Sequence, residues 1–466
     1  MYDVLVRGGT VVSGAGERRA DVAVAGGRIV AVGDDVDPVV QARELVDADG
    51  LLVLPGVIDE HVHPIYHDDP RQTSIVGAFG GVTTIMGFAY AHPGASLLEE
   101  VQILRDRHEA GSVLDYTIHA GMFDAGVQVA EMPAVAATGV RSFKVFLAYA
   151  AQGWMTDDAS LVSVLRASRE VGGLVMVHCE NGPVIDVLES EARAGLLGDD
   201  PVDALLASRP DVLEAEAVQR VAAVAEALDL PVFIVHVTSA RALEAVRAAR
   251  ARGQWLIGET CPQYLALTGD AVREYGALAK IGPPLRTAAD NEALWAGLAD
   301  GTLQTVGSDH VPKKLASERD TPLLDAGFGA PSIETMLPIL LDGALTGRIT
   351  LPRLVEVLCE NPARAFGLFG RKGTVSAGAD ADLVLVDPAG LTTLGVAHEH
   401  TNSGYSLYEG REVRGALRLT MAGGRIVVRD GELEDDRPAG MFLPTGPFND
   451  PLYGPAPRRA PALTPQ

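Results

Sequence analysis

The chain has 466 residues, 47% of them hydrophobic, enough for one large domain and a smaller one with filled cores. Its net charge of −24, from 38 basic and 62 acidic residues, repels phosphate backbones and anionic membranes, so neither nucleic acid nor a lipid surface is expected as a partner. Cys179, Cys261 and Cys359 are odd in number and far apart, which excludes a disulfide framework and a zinc knuckle and points to a reducing cytoplasm.

The opening Met1-Tyr2-Asp3-Val4-Leu5-Val6-Arg7 has no basic segment followed by an apolar one, and no stretch reaches the roughly 18 apolar residues of a membrane span. Residues 1–52 alternate short β-rich runs with glycine turns, as in Val4-Leu5-Val6, Thr10-Val11-Val12 and Ala23 to Val32. A similar phrase returns as Ala422-Gly423-Gly424-Arg425-Ile426-Val427-Val428, after Ala381 to Val386, so the two ends are expected to build one β-sandwich from 1–52 and 369–436. Between them, in 53–368, lie eight apolar runs: Leu52–Ile58, Val82–Phe88, Tyr116–Ala120, Phe143–Leu147, Leu174–Val177, Val232–Val237, Trp255–Ile257 and Gln304–Val306. Stretches with helical periodicity, such as Leu213–Leu228 and Ala240–Arg252, separate most of them. The alternation suggests a (β/α)8 TIM barrel of the usual size, about 250 residues, although a doubly wound sheet also alternates. From Arg437 the sequence is dense in proline; this tail, 437–466, is expected to be extended, either free or laid over a neighbouring subunit.

The polar residues of interest fall at the C-terminal ends of these strands, where barrel enzymes place their sites. His61 and His63 follow strand one, and the period of two puts both imidazoles on one face. Lys144 stands in the apolar run Ser142-Phe143-Lys144-Val145-Phe146, where burial lowers an ammonium's pKa and favours the neutral amine. Such an amine can add carbon dioxide to give a carbamate, an anion able to bridge two metal ions. His178 ends strand five and His236 ends strand six. A lone histidine there is more often a satisfied core residue, but the matched positions assign both to a second metal. Asp309 could cap a helix; its better use is as ligand to the first metal and proton carrier.

Pro55-Gly56-Val57-Ile58-Asp59-Glu60-His61-Val62-His63, Ser142–Tyr149, His178-Cys179-Glu180-Asn181, Gly258-Glu259-Thr260-Cys261-Pro262-Gln263-Tyr264-Leu265, Gly307-Ser308-Asp309-His310 and the stretch from Asn361-Pro362-Ala363-Arg364 to Asp387 together resemble the hydantoinase/dihydropyrimidinase branch of the amidohydrolase superfamily. The likeness runs from about residue 2 to about 435. It implies two divalent metal ions, zinc by preference, bridged by Lys144 as N6-carboxylysine and by a hydroxide. His61, His63 and Asp309 would hold one ion, and His178 and His236 the other. Tyr149 matches a tyrosine that donates a hydrogen bond to the oxyanion, and the Ile281-Gly282-Pro283-Pro284 turn, with Thr260 near it, matches a substrate-binding loop. The implied reaction is hydrolysis of a cyclic amide of the hydantoin or dihydropyrimidine type to an N-carbamoyl amino acid, by a homotetramer or homodimer.

The chain also departs from the pattern. Gly282 stands where the branch usually has serine, Phe328 where an asparagine is expected, and Ile65 where dihydroorotases carry a carboxylate-binding arginine. Gly282 and Phe328 are kept as substrate-binding candidates, and an allantoinase or another cyclic imide hydrolase is the enzyme alternative. A non-catalytic scaffold built on this fold is disfavoured because all six metal positions are filled. The other histidines, His67, His92, His108, His119, His310, His398 and His400, are expected to be structural or superficial.

Overall fold

The computed structural model describes residues 1–37 and 40–448. Eight parallel strands, β1 (Val57–Val62), β2 (Val82–Ala91), β3 (Asp115–Met122), β4 (Ser142–Phe146), β5 (Leu174–His178), β6 (Val232–Ile234), β7 (Leu256–Thr260) and β8 (Thr305–Val306), pair in sequence order. The last strand is short, and closure onto β1 is made by the segment beyond it, through a parallel bridge between Val62 and His310 and a 3.0 Å bond from His63 N–H to His310 O. The architecture is that of a (β/α)8 barrel.

Helices cover the strands on the outside, and their starts are written in the sequence. Asp69 caps Pro70–Phe79, with proline in the first turn, Ser239 caps Ala240–Ala251, and Thr287 with Asp290 forms a capping box on Ala288–Ala299. Inside the barrel, Ile58, Met86, Phe88, Met176, Phe233 and Ile257 form a buried layer that Phe366, Leu368 and Leu443 close from below.

The two chain ends form a sandwich of a four-stranded and a seven-stranded sheet. Leu52–Pro55 pairs with Leu383–Val386, joining the ends directly, and Val6, Val24, Ile29, Val53, Leu385 and Met421 fill the space between the sheets. The run expected as the first barrel strand is therefore divided: its first half belongs to the sandwich and only Val57 onward enters the barrel. Buried Lys372 ties the two parts together, bonding Asp115 at the foot of β3 and Asp382 of the sandwich at 2.6 Å each.

The tail corrects an expectation. Residues 440–448 are neither free nor on a neighbour but cross the foot of their own barrel, with Tyr116 N–H bonding Met441 O at 3.0 Å and Leu443, Thr445 and Phe448 N–H bonding the carbonyls of Tyr116, Gly139 and Gly172 at 2.7–2.8 Å. Backbone bonding to strand feet does not require a hydrophobic period, so composition alone could not reveal it. Gly440 is required there, since a Cβ would lie 1.9 Å from Leu114 O. The part of the proline-rich segment from 449 to 466 lies outside the described residues.

Candidate active site

At the C-terminal mouth of the barrel a cavity of about 410 Å³ is lined by His61, His63, Lys144, His178, His236 and Asp309, with Tyr149, Gly282 and Phe328 along one side. Nine of the ten candidate residues thus share one cavity. Thr260 does not line it: at the end of β7 its hydroxyl donates to Val237 O, in the segment after β6, at 2.8 Å, and the residue is fully buried. The proximity of its motif to the substrate loop was misleading because, on a strand, a neighbouring residue faces the other way.

His61, at the end of β1, and His63, just past it, both aim Nε2 at Oδ1 of Asp309, at 3.3 and 3.0 Å. The three ligand atoms lie within 4.8 Å of one another, a group able to hold a metal ion. On the opposite side, Nδ1 of His178 at the end of β5 lies 2.9 Å from Nε2 of His236. Burial holds the His61, His178 and His236 pKa values below the ordinary range, His61 and His236 well below it, so these imidazoles are neutral and fit as ligands. Burial pushes the Asp309 carboxyl up, but contacts on the other side, the His63 hydrogen bond among them, outweigh it and hold the group well below the usual carboxylate range.

The outer ring nitrogens are also placed. His61 Nδ1 donates to Glu259 Oε1 at 2.7 Å, His178 Nε2 donates to Glu180 Oε2 at 2.8 Å, and His63 Nδ1 faces the Tyr90 hydroxyl at 3.2 Å. These partners choose the tautomers, leaving Nε2 of His61 and Nδ1 of His178 unprotonated toward the cavity. Glu259 Oε1 also accepts from the backbone N–H of His236 at 3.1 Å, so one carboxyl touches both halves of the site. Glu180 is held by Arg209 at 2.7 Å, and Arg209 in turn by Glu189. None of Glu259, Glu180, Tyr90 and Arg209 was singled out from the sequence. Glu180, two residues after His178, and Glu259, ending β7, were legible as strand-end acids in motifs already quoted.

Lys144 in β4 is 1% exposed and lies between the two histidine sets, its Nζ 5.3 Å from the ring centroids of both Phe88 and Phe146. Burial lowers its pKa from 10.5 to about 8. His178 and His236 supply two ligand atoms, one fewer than the group of His61, His63 and Asp309.

Three of the five non-glycine residues with positive φ among the described residues are site residues: Tyr149 at 67°, His236 at 42° and Asp309 at 50°. Each lies just past a barrel strand, where a left-handed residue turns the chain so that its side chain faces the cavity instead of continuing the pleat. The cost, about 1–3 kcal/mol each, is borne by the surrounding fold, as is common at functional sites.

Two of the other histidines are held in bonds within the fold. His119 spans Ser142 Oγ and Glu60 O inside the barrel, and His310 bonds Asp68 at 3.1 Å while its Nδ1 accepts from the Ser332 and Ile333 N–H groups. Burial lowers His119 and His108 to about 3.

The amidohydrolase family model matches residues 52–427. A D-hydantoinase of Ralstonia pickettii is 35% identical over 455 residues, 95% of this chain and 98% of that one. An allantoinase of Rubrobacter xylanophilus is 37% identical over 95% of this chain and 97% of its own. The crystal structure of dihydropyrimidinase from Brevibacillus agri superposes with a TM-score of 0.91 at 34% identity, covering 96% of this chain and 99% of that one.

Proposed function

The chain belongs to the amidohydrolase family, in its hydantoinase/dihydropyrimidinase branch, and from that premise we propose that it opens a cyclic amide by hydrolysis at a centre of two divalent ions. The observation that carries the reading is the convergence of two histidine sets on a buried lysine at the mouth of the barrel. His61, His63 and Asp309 would hold one ion, and His178 and His236 the other. Lys144 would bridge them as N6-carboxylysine: its neutral amine adds to carbon dioxide, a C–N bond forms and one proton leaves, giving an anion with two oxygens. The nitrogen and oxygen donors suit zinc. Ions bound there would supply Lewis acidity and acidify a water.

The protein's own groups then have defined tasks. Water adds to the ring carbonyl carbon, the amide C–N bond breaks, and the departing nitrogen must gain a proton. Asp309, ionised and facing the cavity, accepts the water's proton on its carboxylate and passes it to that nitrogen. Burial pushes the Tyr149 hydroxyl above its ordinary range, so it stays protonated and donates to the oxygen that becomes negative. Tyr90, Phe123, Phe146 and Trp154 wall one part of the cavity with aromatic surface. A hydantoin or dihydropyrimidine ring yields an N-carbamoyl amino acid; allantoin, a hydantoin bearing a ureido group, is the second ring to assay, on the strength of the allantoinase relative.

We further propose a homodimer or homotetramer in the cytoplasm. In support, Val184, Val187 and Leu196, on and just after helix Gly182–Arg193, are 41%, 57% and 72% exposed, and all three cysteines are free and buried. Among the described residues no helix is long and apolar enough to cross a membrane. The test of function is ring opening, followed by loss of ring absorbance, on hydantoin, dihydrouracil, allantoin, dihydroorotate and simple imides with metal-replete protein. Turnover of at least one hydantoin-type ring, with dihydroorotate inert, is expected; inertness toward all of them overturns the reading.

A further inference from the structure

We propose that Gly282 and Phe328 form a single specificity unit, in which the absence of a side chain at 282 is what admits the Phe328 ring to the substrate cavity, selecting cyclic amides with an apolar or aromatic ring substituent. The inference rests on the cyclic-amide reading above and names the substrate class of the same site. A Cβ placed on Gly282 would lie 2.9 Å from Cδ1 and 3.2 Å from Cγ of Phe328, and 3.1 Å from the Tyr149 hydroxyl oxygen. The first distance is shorter than side-chain carbons tolerate, so even alanine at 282 must displace the ring.

That ring is not free to yield. The Arg209 guanidinium lies 4.6 Å and the Lys280 ammonium 4.7 Å from its centroid, and the Tyr149 ring packs at 6.1 Å. Both cations are themselves anchored: Arg209 by Glu180 and Glu189, and Lys280 by the Leu324 and Ala326 carbonyls at 3.0 and 2.8 Å. Gly329, at φ 114°, presses against Val311 and fixes the backbone on the far side of the aromatic residue. The wall shared by Gly282 and Phe328 therefore offers hydrocarbon and an aromatic face where a side-chain hydroxyl or amide would offer hydrogen bonds. A ring substituent stacked on that face gains contact, and a bare polar ring gains nothing from it.

The experiment is a double-mutant cycle with Gly282→Ala, Phe328→Ala and the double variant, measuring kcat/KM on hydantoin and on 5-benzylhydantoin, with metal content and thermal midpoint recorded for each protein. Phe328→Ala should lower the ratio of benzyl to unsubstituted activity by about tenfold. Gly282→Ala should lower kcat/KM on both substrates by about tenfold, and the double variant should return to within about threefold of Phe328→Ala alone, a non-additivity that a merely structural role at either position would not give. Additive effects in metal-replete, folded proteins, or an unchanged substituent ratio in Phe328→Ala, overturn the inference while leaving ring opening intact. Wild-type protein inert on every ring would instead remove the reading on which it stands.

Discussion

Replacing Glu259 by alanine tests how the two halves of the site are held. Its Oε1 accepts from His61 Nδ1 at 2.7 Å and from the His236 backbone at 3.1 Å, and the side chain is fully buried. Alanine frees the His61 ring to rotate and to change tautomer, and losing the partner that orients a ligating histidine costs about 10–100-fold in metal affinity, or about 1.4–2.7 kcal/mol. The effect on folding should be smaller than the roughly 1–3 kcal/mol per orphaned donor would suggest. Burial pushes both Glu259 and its neighbour Glu60 above the ordinary carboxylate range, so removing one of them relieves a cost. Glu259→Gln retains an acceptor oxygen and should keep most of the affinity. Competition with a chromophoric chelator gives the metal affinities, and circular dichroism gives the thermal midpoints. Folded Glu259→Ala that binds metal as tightly as wild type would refute the positioning argument.

Tyr149→Phe keeps the ring packing but removes the hydroxyl on the cavity; kcat should fall about 100-fold with KM changed little, whereas a rise in KM alone would assign the hydroxyl to ground-state binding. Lys372→Met leaves Asp115 and Asp382 buried without their cation and should destabilise by about 3–5 kcal/mol in denaturant titration; a loss under 1 kcal/mol contradicts the network's role. His108 is buried, its ring nitrogens have no partner among the described residues, and burial lowers its pKa from 6.5 to about 3. Between those values the unfolded chain binds a proton that the folded one refuses, so stability falls as pH is lowered through that window, by up to about 1.4 kcal/mol per pH unit. His108→Leu should make the dependence of thermal midpoint on pH shallower from 6.5 to 4; an identical slope would show that His108 does not contribute.

Much of the fold was visible as periodicity. Strand runs with helices between them gave the barrel, and the repeated Gly-Gly-Arg-Ile-Val phrase gave the sandwich, because both follow from side-chain period and turn chemistry. The six residues proposed to hold metal were legible as candidates, and they share one cavity, because strand ends are where a barrel exposes side chains. What stayed hidden depends on distance across the fold. The division of Leu52–Ile58 between two sheets follows from pairing with Leu383–Val386, far away in sequence. The left-handed turns at His236 and Asp309 fall on residue types that tolerate that conformation, but most histidines and aspartates do not adopt it, and Tyr149 carries no such signal. Thr260 was misplaced because a motif shows adjacency in sequence and not the direction of a side chain. Arg209 and Lys280 were missed because each acts by facing Phe328 from a different segment.

The proposed chemistry depends most on a carbamate at Lys144. Protein prepared with metal in 13C-bicarbonate buffer should show a carbamate carbon resonance in the NMR spectrum, with two metal ions per chain, and Lys144→Ala should lose the resonance and at least one ion while remaining folded. Fully active, metal-replete wild type without that resonance would contradict it.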